Sequence, residues 1–428
     1  MKIAIAGTGY VGLVTGICLA EIGHEVVCID KNETKIDLLK LGRPPFYENG
    51  LEALLKKNHN IQFTSDFKTA YKEAEIIFIA VETPENVDGS ANLTYVYEVS
   101  KEIINSLQHD CTVVLKSTVP VGTSDEIEEF MKKNIHNNIN VEVLSNPEFL
   151  SQGTAIKDTM EASRIIIGAN SEEVANLLKQ VYEPFNRPFV ITSRSSAEMI
   201  KYASNDFLAL KISFINDIAN LCELVGANIE DVTKGMSFDE RIGAKFLNAG
   251  VGYGGSCFPK DTKSLHWLSK DRGYELKTVR AAIEVNELQK TRLIQKAKKQ
   301  FSSFNGIRVT VLGLTFKPGT DDLREAPSLN NIDILLNDGA IVTVYDPVGM
   351  DNVKKVYSNK ITYAQTPESA LQDSEVCFIF TEWDQIKQIS PSQFKKNMKT
   401  PNVYDGRNCY RISDMTDSGV NYNSIGRS

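Results

Sequence analysis

The first residues of the chain form a β-strand pattern that runs directly into a glycine-rich turn, and this junction restricts the fold more than any other feature. Gly7, Gly9 and Gly12 follow the strand pattern Lys2–Ala6 in the spacing G-x-G-x-x-G, and a helical stretch, Val11–Ile22, begins within the motif. Such a turn lets the backbone reverse at Gly7, a pyrophosphate approach at Gly9 and the helix pack closely at Gly12. The helix N-terminus attracts phosphate through its partial positive charge. A glycine turn without a ligand is the alternative, but the strand–turn–helix context favours a dinucleotide-binding domain.

An acidic residue at the end of the next strand pattern indicates which dinucleotide is bound. Asp30 lies 18 residues after Gly12. Its carboxylate would accept hydrogen bonds from the adenosine ribose hydroxyls and repel a 2′-phosphate, so the sequence favours NAD over NADP. Lys35, one turn into the following helix, either adds a phosphate or ribose contact or is a solvated helix lysine.

Alternating strand and helix patterns predict an α/β protein with parallel sheets. The strand patterns are Lys2–Ala6, Glu25–Ile29, Glu75–Val81, Thr112–Lys116, Val141–Leu144, Arg164–Ile167, Arg308–Leu312, Ile341–Tyr345, Val376–Phe380 and Asn402–Tyr404. Between the two groups, residues 197–225 show one long helical period. The expected fold is two Rossmann-like doubly wound domains joined by a long central helix and a helical middle domain. The expected domains are an NAD-binding domain at 1–195, a central helical domain at 196–300 and a second α/β domain at 301–428.

Composition excludes several classes of protein. The net charge of -8 argues against nucleic-acid binding. A membrane span needs roughly 18 apolar residues, and the sequence has no run of that length. The chain starts directly in a strand pattern without a signal-peptide layout. The seven cysteines form no C-x-x-C pair, and the five histidines (His24, His59, His109, His136 and His266) have no metal-like spacing. We therefore expect a cytoplasmic protein without a metal site, in which six of the cysteines are small buried side chains.

The seventh cysteine, Cys257, has a different setting. It follows a run of glycines (Gly243, Gly250, Gly252, Gly254 and Gly255) and precedes Pro259, which suits the first turn of a helix. A thiol at a helix N-terminus is stabilised as thiolate, and Asp261 stands one turn further on. Glycines also let the backbone approach a ligand closely. An inert core thiol is the alternative, and the glycine run argues against it.

Two polar residues on the long helix complete a reactive set. Lys201 and Asn205 are spaced i, i+4 and share one helix face, where both can donate to a developing oxyanion. A solvent-facing polar stripe is the alternative. NAD, a nucleophilic cysteine and an oxyanion-stabilising pair together indicate a four-electron oxidation of a primary alcohol to a carboxylate, through a thiohemiacetal and a thioester on sulfur.

At these residues the chain resembles the UDP-glucose/GDP-mannose dehydrogenase family, over almost its whole length. Besides the glycine fingerprint and the stretch Phe246–Asp261, the motifs that carry the resemblance are Val81-Glu-Thr83-Pro84, Asp88-Gly89-Ser90, Lys116-Ser-Thr118-Val-Pro120, Ser145-Asn-Pro147-Glu148-Phe149-Leu150, Arg241-Ile-Gly243 and Phe316-Lys317-Pro318-Gly-Thr320-Asp321-Asp322-Leu-Arg324. The resemblance implies oxidation of UDP-glucose at C6 to UDP-glucuronate with two NAD reduced, and a UDP-sugar site in the last domain.

The resemblance also implies residue roles. Cys257 is similar to the family nucleophile, Lys201 and Asn205 to the oxyanion pair, Asp261 to its acidic partner, and Thr118 and Glu148 to positions that order a catalytic water. The implied cofactor contacts are Gly7, Gly9, Tyr10, Val11, Gly12, Asp30, Lys35, Thr83, Thr118, Glu148, Lys260 and Arg324. The implied sugar-nucleotide contacts are Glu148, Phe149, Leu150, Ser151, Lys201, Asn205, Arg241, Phe246, Leu247, Asn248, Ala249, Gly250, Gly254 and Lys317. Arg241 matches an arginine that reaches a partner subunit's sugar site, which implies a homodimer built on the long helix.

The second α/β domain is expected to hold a different ligand from the first. Its first strand pattern ends at Leu312-Gly313 without a G-x-G-x-x-G motif, so a second dinucleotide is not expected. Lys317 at the end of this strand suits a phosphate-bearing ligand, with a surface lysine as the alternative. Arg407 is a further candidate contact to the sugar nucleotide.

Other functions remain open from the residues alone. The same chemistry would serve GDP-mannose or a UDP-N-acetylhexosamine. A two-electron hydroxy-acid dehydrogenase shares the Lys/Asn pair but needs neither Cys257 nor a second α/β domain. A regulator that only binds NAD or a nucleotide sugar would not need Cys257, Lys201 or Asn205.

Overall fold

The computed structural model describes residues 1–135 and 139–427, so His136 lies outside the described residues. The chain divides into two compact units, Met1–Ser204 and Asn205–Ser428. The boundary falls inside one long helix, α9, which spans Arg194–Val225. The division of the chain into three domains remains a prediction.

The first unit alternates strands and helices. Its strands are β1 Lys2–Ala6, β2 Glu25–Ile29, β3 Ile61–Thr64, β4 Ile76–Ile79, β5 Cys111–Leu115, β6 Val141–Ser145, β7 Ile165–Gly168 and β8 Phe189–Thr192. Its helices are α1 Tyr10–Glu21, α2 Glu33–Lys40, α3 Leu51–Lys57, α4 Phe67–Glu73, α5 Thr94–Ile104, α6 Thr123–Asn134, α7 Ala155–Met160 and α8 Glu172–Tyr182, followed by a 3₁₀ turn at Glu183–Phe185.

The strands of the first unit form one eight-stranded sheet in the order β3-β2-β1-β4-β5-β6-β7-β8. Its apolar side chains enter two core clusters: Ile3 and Ile5 of β1 belong to one, and Ala4 and Ala6 to the other. Burial on both faces is the property expected of parallel strands covered by helices. One step is antiparallel, where Ser145 of β6 pairs with Gly168 of β7.

The second unit continues α9 and then returns to alternating elements. Its further helices are α10 Ile229–Ser237, α11 Phe258–Asp271, α12 Lys277–Lys290, α13 Arg292–Ala297, α14 Pro327–Asn337, α15 Met350–Tyr357, α16 Pro367–Leu371, α17 Asp384–Lys387, α18 Pro391–Asn397 and α19 Ile412–Asp417. Its strands are β9 Arg308–Leu312, β10 Ile341–Tyr345, β11 Thr362–Tyr363, β12 Val376–Ile379, β13 Asn402–Asp405 and β14 Asn421–Asn423.

The second sheet repeats the order of the first six strands of the first sheet. Its order is β11-β10-β9-β12-β13-β14, and all of its pairings are parallel. The turn after the first strand is also repeated: the amide of Gly7 donates to Ile29 O at 2.8 Å, and the amide of Gly313 donates to Tyr345 O at 2.9 Å. The expected fold class, two Rossmann-like domains with a long central helix, is confirmed.

Candidate active site

The glycine turn of the first unit has the geometry of a phosphate-binding loop. Gly7 adopts φ +101°, and a Cβ there would lie 2.6 Å from Ala80 O. A Cβ on Gly12 would collide with the Gly7 carbonyl. A Cβ on Gly9 would meet no described atom within 4 Å, so its exposed backbone leaves room for a pyrophosphate. Helix α1 starts at Tyr10 with no acidic residue in its first turn, so the partial positive charge of its N-terminus is attractive to an anion.

Asp30 stands directly after β2 beside this turn. Its Oδ2 accepts hydrogen bonds from the amide of Thr8 at 3.1 Å and from its hydroxyl at 2.6 Å, and lies 3.2 Å from Lys35 Nζ. Burial acts to raise the pKa of Asp30, but these donors and the amide of Asn32 outweigh it and hold the pKa below its usual value. The structure thus keeps Asp30 ionised, as a ribose-binding carboxylate requires, and places Lys35 as its partner.

The remaining predicted cofactor residues of the first unit lie around the same sheet edge. Tyr10 and Val11 form the start of α1 and are partly buried. Thr83 and Thr118 follow the parallel strands β4 and β5, and the Thr83 hydroxyl donates to Thr118 O at 2.8 Å. Because the carboxyl ends of parallel strands form the ligand edge of such sheets, this position suits a bound dinucleotide.

Glu148 and Lys201 form a buried ion pair. Lys201 Nζ lies 2.7 Å from Glu148 Oε1, and the two side chains are 3% and 6% exposed. The other carboxylate oxygen of Glu148 accepts from the amide of Leu150 at 2.7 Å, and Lys201 Nζ lies 5.5 Å from the Phe149 ring centroid. The pair therefore fixes the predicted sugar-binding segment 149–151 to the lysine on α9. Ser151 continues this segment, and its amide donates to Asp158.

A second buried lysine, which sequence reasoning missed, lies beside this pair. Lys116 Nζ donates to Asn146 Oδ1 at 3.0 Å and lies 3.4 Å from Tyr182 Oη. Burial lowers the pKa of Lys116 to about 8, with Glu148 opposing and Lys201 reinforcing the shift. The motif that contains Lys116 was visible in the sequence, but its position at a strand end did not show that the side chain turns into the core.

In the second unit, Cys257 stands at the N-terminus of α11. It is the N-cap residue, its carbonyl accepts from the amide of Asp261 at 2.8 Å, and Pro259 lies in the first turn. The thiol is partly exposed, and Cys18, Cys28, Cys111, Cys222 and Cys377 are buried. Burial raises the pKa of the Cys18, Cys28 and Cys111 thiols to about 12 each. Cys409 departs from the expectation of six buried cysteines, because it is also partly exposed.

Asp261 links the cysteine helix to α9. Its Oδ2 accepts from Asn205 Nδ2 at 2.7 Å, and its Oδ1 lies 2.7 Å from Lys260 Nζ. The Asp261 side chain is 1% exposed, and such a buried carboxylate requires partners of this kind. Asn205 can therefore present its amide in only one orientation to a reacting oxygen.

The glycines before Cys257 are needed because other parts of the protein pack closely against them. The sequence instead predicted that they let a ligand approach. A Cβ on Gly250 would lie 2.7 Å from Gly406 O, and one on Gly254 would collide with the Glu325 carbonyl. Gly255, with φ +84°, would place a Cβ 2.8 Å from the Phe316 ring. The protein itself fills the space that these residues leave, so the loop is held closely against the second α/β fold.

The predicted sugar-binding loop 246–250 is strained and partly exposed. Phe246 has φ +65°, an unusual value for an aromatic residue, and is 38% exposed. Asn248 is exposed, whereas Leu247 and Ala249 are buried. Gly250 anchors the loop, since its amide donates to Asn216 at 2.7 Å and its carbonyl accepts from Gln289 at 2.6 Å. Such strain is maintained by anchors of this kind and is common in ligand-binding segments.

The arginine and lysine residues of the second unit that are predicted to contact the sugar nucleotide or the cofactor differ in how strongly the protein holds their side chains. Arg241 is 90% exposed and pairs with its near neighbour Asp239. Arg324 is likewise paired with its neighbour Asp322, and Lys317 Nζ lies 5.6 Å from the Phe316 ring centroid. Arg407 is more constrained, because its guanidinium donates to the carbonyls of Phe380, Gly252 and Phe316. Arg407 thus ties the cysteine loop to β9 and β12.

A buried carboxyl that the sequence did not reveal stands next to Asn205. Asp206 is 4% exposed, and neither of its oxygens has a hydrogen-bond partner among the described residues. Burial and the nearby charge of Asp261 raise its pKa to about 8. At neutral pH Asp206 is therefore mostly protonated.

In the second sheet, the residue that corresponds to Asp30 already accepts hydrogen bonds from other groups of the protein. Asp346 directly follows β10 and accepts from the amides of Leu314 and Gly349, each at 2.7 Å, and from Trp383 Nε1 at 3.1 Å. The side chain is 2% exposed. Its lone pairs are engaged internally, as those of Asp30 are by Thr8, Asn32 and Lys35. The absence of a second dinucleotide from this domain remains a prediction.

Within ranges 1–135 and 139–427, no helix is long and apolar enough to cross a membrane. In the same ranges, no group of three or more His, Cys, Asp or Glu side chains is arranged to hold a metal ion.

Comparison with known proteins matches the chain to one family along its length. Residues 1–186 match the NAD binding domain of the UDP-glucose/GDP-mannose dehydrogenase family, residues 195–288 match its central domain, and residues 310–412 match its UDP binding domain.

Individual relatives agree with this match. The UDP-glucose 6-dehydrogenase YwqF of Bacillus subtilis (strain 168) is 45% identical, with 100% of this chain and 98% of that protein aligned. The UDP-glucose 6-dehydrogenase of Rhizobium meliloti (strain 1021) is 44% identical, with 100% of both aligned. Among solved structures, a UDP-glucose dehydrogenase from Pyrobaculum islandicum superposes with a TM-score of 0.93 at 34% identity, covering 100% of this chain and 98% of that one.

Proposed function

Because the chain belongs to the UDP-glucose/GDP-mannose dehydrogenase family, we propose that it oxidises UDP-glucose at C6 to UDP-glucuronate with NAD. Full-length relatives named UDP-glucose 6-dehydrogenase support this substrate. The observation that carries the chemistry is the position of Cys257, a partly exposed thiol at the N-terminus of α11, one turn before Asp261. A hydroxy-acid dehydrogenase has no use for such a thiol.

The residues of the first unit fit the cofactor. The open backbone at Gly9, the N-terminus of α1 without an acidic residue in its first turn and the ionised Asp30 match pyrophosphate and ribose. Bound NAD supplies the hydride acceptor for each of the two oxidations, and two molecules are used in succession.

Different side chains are proposed to carry out the separate steps of the reaction. In the first oxidation the C6 hydroxyl would give its proton to the water that Thr118 and Glu148 order, and C6 would give its hydride to the cofactor, which leaves an aldehyde. Lys201, whose charge is held in place by Glu148, stabilises negative charge on the C6 oxygen in this step, and the Asn205 amide does the same. Cys257 Sγ then adds to the C6 aldehyde and forms a carbon–sulfur bond, giving a thiohemiacetal. The second oxidation turns this adduct into a thioester.

Hydrolysis completes the reaction. A water positioned by Thr118 and Glu148 attacks the thioester carbon, the carbon–sulfur bond breaks, and the thiol of Cys257 is restored. In total one alcohol, one water and two NAD give one carboxylate, two NADH and three protons. Release of the carboxylate makes the sequence effectively irreversible.

A panel of nucleotide sugars with the NADH yield counted for each tests the proposal. UDP-glucose is expected to give two NADH per molecule consumed, with UDP-glucuronate as product. One NADH per molecule would instead indicate a two-electron dehydrogenase. Faster turnover of GDP-mannose or a UDP-N-acetylhexosamine would move the activity to that substrate.

The protein is further proposed to act as a homodimer. In the second unit, one face of α9 carries Phe207, Phe214, Leu221 and Val225, which are 61%, 50%, 53% and 67% exposed. The spacing of seven, seven and four residues places them on one stripe, and exposed apolar stripes of this kind mark interaction surfaces. Sedimentation analysis of Phe214→Asp against the unchanged protein tests this: a dimer that becomes monomeric supports the proposal, and a monomer in both refutes it.

The proposed location is the cytoplasm. All seven cysteines are free thiols, which fits a reducing compartment. Fractionation of the producing cell, with the protein followed by antibody, tests the location.

A further inference from the structure

Glu48 connects the dinucleotide turn of the first unit to the segment that precedes α7. The side chain is 5% exposed and lies in the stretch between α2 and α3. Its Oε2 accepts from Tyr10 Oη at 3.0 Å and from the amide of Gly153 at 2.6 Å. Its Oε1 accepts from the amide of Ala155 at 2.8 Å. One carboxylate thus holds groups from two separate segments of the chain.

On the cofactor side, Glu48 reaches the turn through Tyr10. This tyrosine is the first residue of α1, so its backbone belongs to the group of amides that a pyrophosphate would bind. Its ring stacks on Phe46 with the centroids 4.0 Å apart, and its single hydroxyl proton is shared between Tyr47 O at 2.6 Å and Glu48 Oε2 at 3.0 Å. The side chain therefore has one position, and a displacement of its backbone changes the geometry at Glu48.

On the substrate side, two carboxylates hold the two ends of the predicted sugar-binding segment. Glu148 holds its start and Glu48 holds its end. Glu148 accepts from the amide of Leu150, and Glu48 accepts from those of Gly153 and Ala155. The residues between these anchors include Leu150 and Ser151, which are expected to contact the nucleotide sugar. A charged acceptor forms stronger hydrogen bonds than a neutral one, so both anchors restrain the backbone effectively.

We propose that Glu48 is a positioning residue that couples cofactor binding at the glycine turn to the geometry of the sugar-binding segment 149–153. The proposal rests on the proposed function for the identity of the second ligand. When a dinucleotide orders the turn, Tyr10 and Glu48 transmit that order to the amides of Gly153 and Ala155. The two ligands then bind cooperatively, and each raises the affinity for the other by the same factor.

Two variants separate this role from simple support of the fold. Tyr10→Phe removes the hydroxyl but keeps the ring on Phe46. Glu48→Gln keeps the shape but replaces an acceptor oxygen with an NH₂ group that faces donors. Glu52→Gln is the matched control, because Glu52 lies one turn further along and is exposed. Calorimetric titration of UDP-glucose with and without NADH gives the coupling factor without turnover.

The unchanged protein and Glu52→Gln are expected to bind UDP-glucose roughly fivefold or more tightly with NADH present, within the usual range of coupling. In Tyr10→Phe and Glu48→Gln the factor is expected to approach one. Glu48 is not itself a predicted cofactor contact, so Glu48→Gln is expected to keep nearly the same affinity for NADH alone. A coupling factor of one in the unchanged protein, or equal factors in all four proteins, would overturn the proposal.

A second measurement does not depend on the sugar. Hydrogen exchange of the amides in 149–155 is expected to slow when NADH binds the unchanged protein, and to stay the same in Tyr10→Phe. Exchange that NADH leaves unaltered in the unchanged protein refutes the coupling. Failure of the proposed function would appear separately, as a lack of NADH formation from UDP-glucose.

Discussion

Asn205 and Asp261 are joined by a 2.7 Å hydrogen bond between the side-chain amide of one and Oδ2 of the other. The bond connects the helix that carries the predicted oxyanion pair to the helix that starts at Cys257. Since Asp261 accepts from Asn205 through one oxygen and is paired with Lys260 through the other, the amide orientation of Asn205 is fixed.

Asp261→Asn is expected to lower kcat by roughly 10²-fold, because the amide of Asn205 loses its charged acceptor and no longer faces the reacting oxygen in one orientation. The measurement is steady-state NADH formation with UDP-glucose. Asp271→Asn, at the other end of the same helix, is the control and is expected to keep its activity. Equal rates for both variants would contradict the role of Asp261.

Cys257→Ser is expected to lose overall turnover, because a serine hydroxyl is a much weaker nucleophile toward the aldehyde than a cysteine thiol at a helix N-terminus. Cys409 offers the matched control, since it is also partly exposed. Burial and nearby Asp405 raise the pKa of the Cys409 thiol well above its usual range, so Cys409→Ser is expected to retain activity. Alkylation at pH 7.5 followed by mass spectrometry should modify residue 257 first. Retained turnover in Cys257→Ser would refute the covalent route.

The comparison of sequence with structure shows which parts of the fold carry a strong sequence pattern. The bounds of β1, β2, β9 and β10 agree with the sequence patterns to the residue, and all four are interior strands of their sheets. The strands that the sequence did not reveal are β3, β8, β11 and β14, and all of them are edge strands. An edge strand pairs on one side only and is short, so its sequence is less constrained.

In the candidate site, too, some residues could be predicted from the sequence and others could not. Motif residues such as Cys257 and Lys201 stand out, because their spacing is local. Glu48 does not, since its partner Gly153 is 105 residues away and neither residue type signals the contact. Lys116 and Asp206 were also missed, because only the tertiary packing shows that these charged side chains are buried.

Lys201→Met is expected to reduce activity by roughly 10²-fold or more and to destabilise the protein as well. Removal of the lysine leaves Glu148 buried without its charged partner, and breaking a buried pair typically costs about 3–5 kcal/mol. Adding Glu148→Gln removes the unpaired charge, so the double variant should recover most of the stability and none of the activity. Thermal unfolding and NADH formation measure the two effects. Recovery of activity in the double variant would contradict the assigned role of Lys201.

Asp206→Asn is expected to stabilise the protein in a pH-dependent way. A carboxyl whose pKa is raised from 3.8 to about 8 binds more protons in the folded state, so its contribution to stability falls as pH rises through that window. The cost grows by about 1.4 kcal/mol per pH unit between those limits, and asparagine does not bear it. The groups that act on Asp206 are Asp261, which is paired with Lys260, and Tyr253. The unfolding midpoint of Asp206→Asn should therefore exceed that of the unchanged protein much more at pH 8 than at pH 4.5, and an equal difference at both values would show that Asp206 does not titrate in this window.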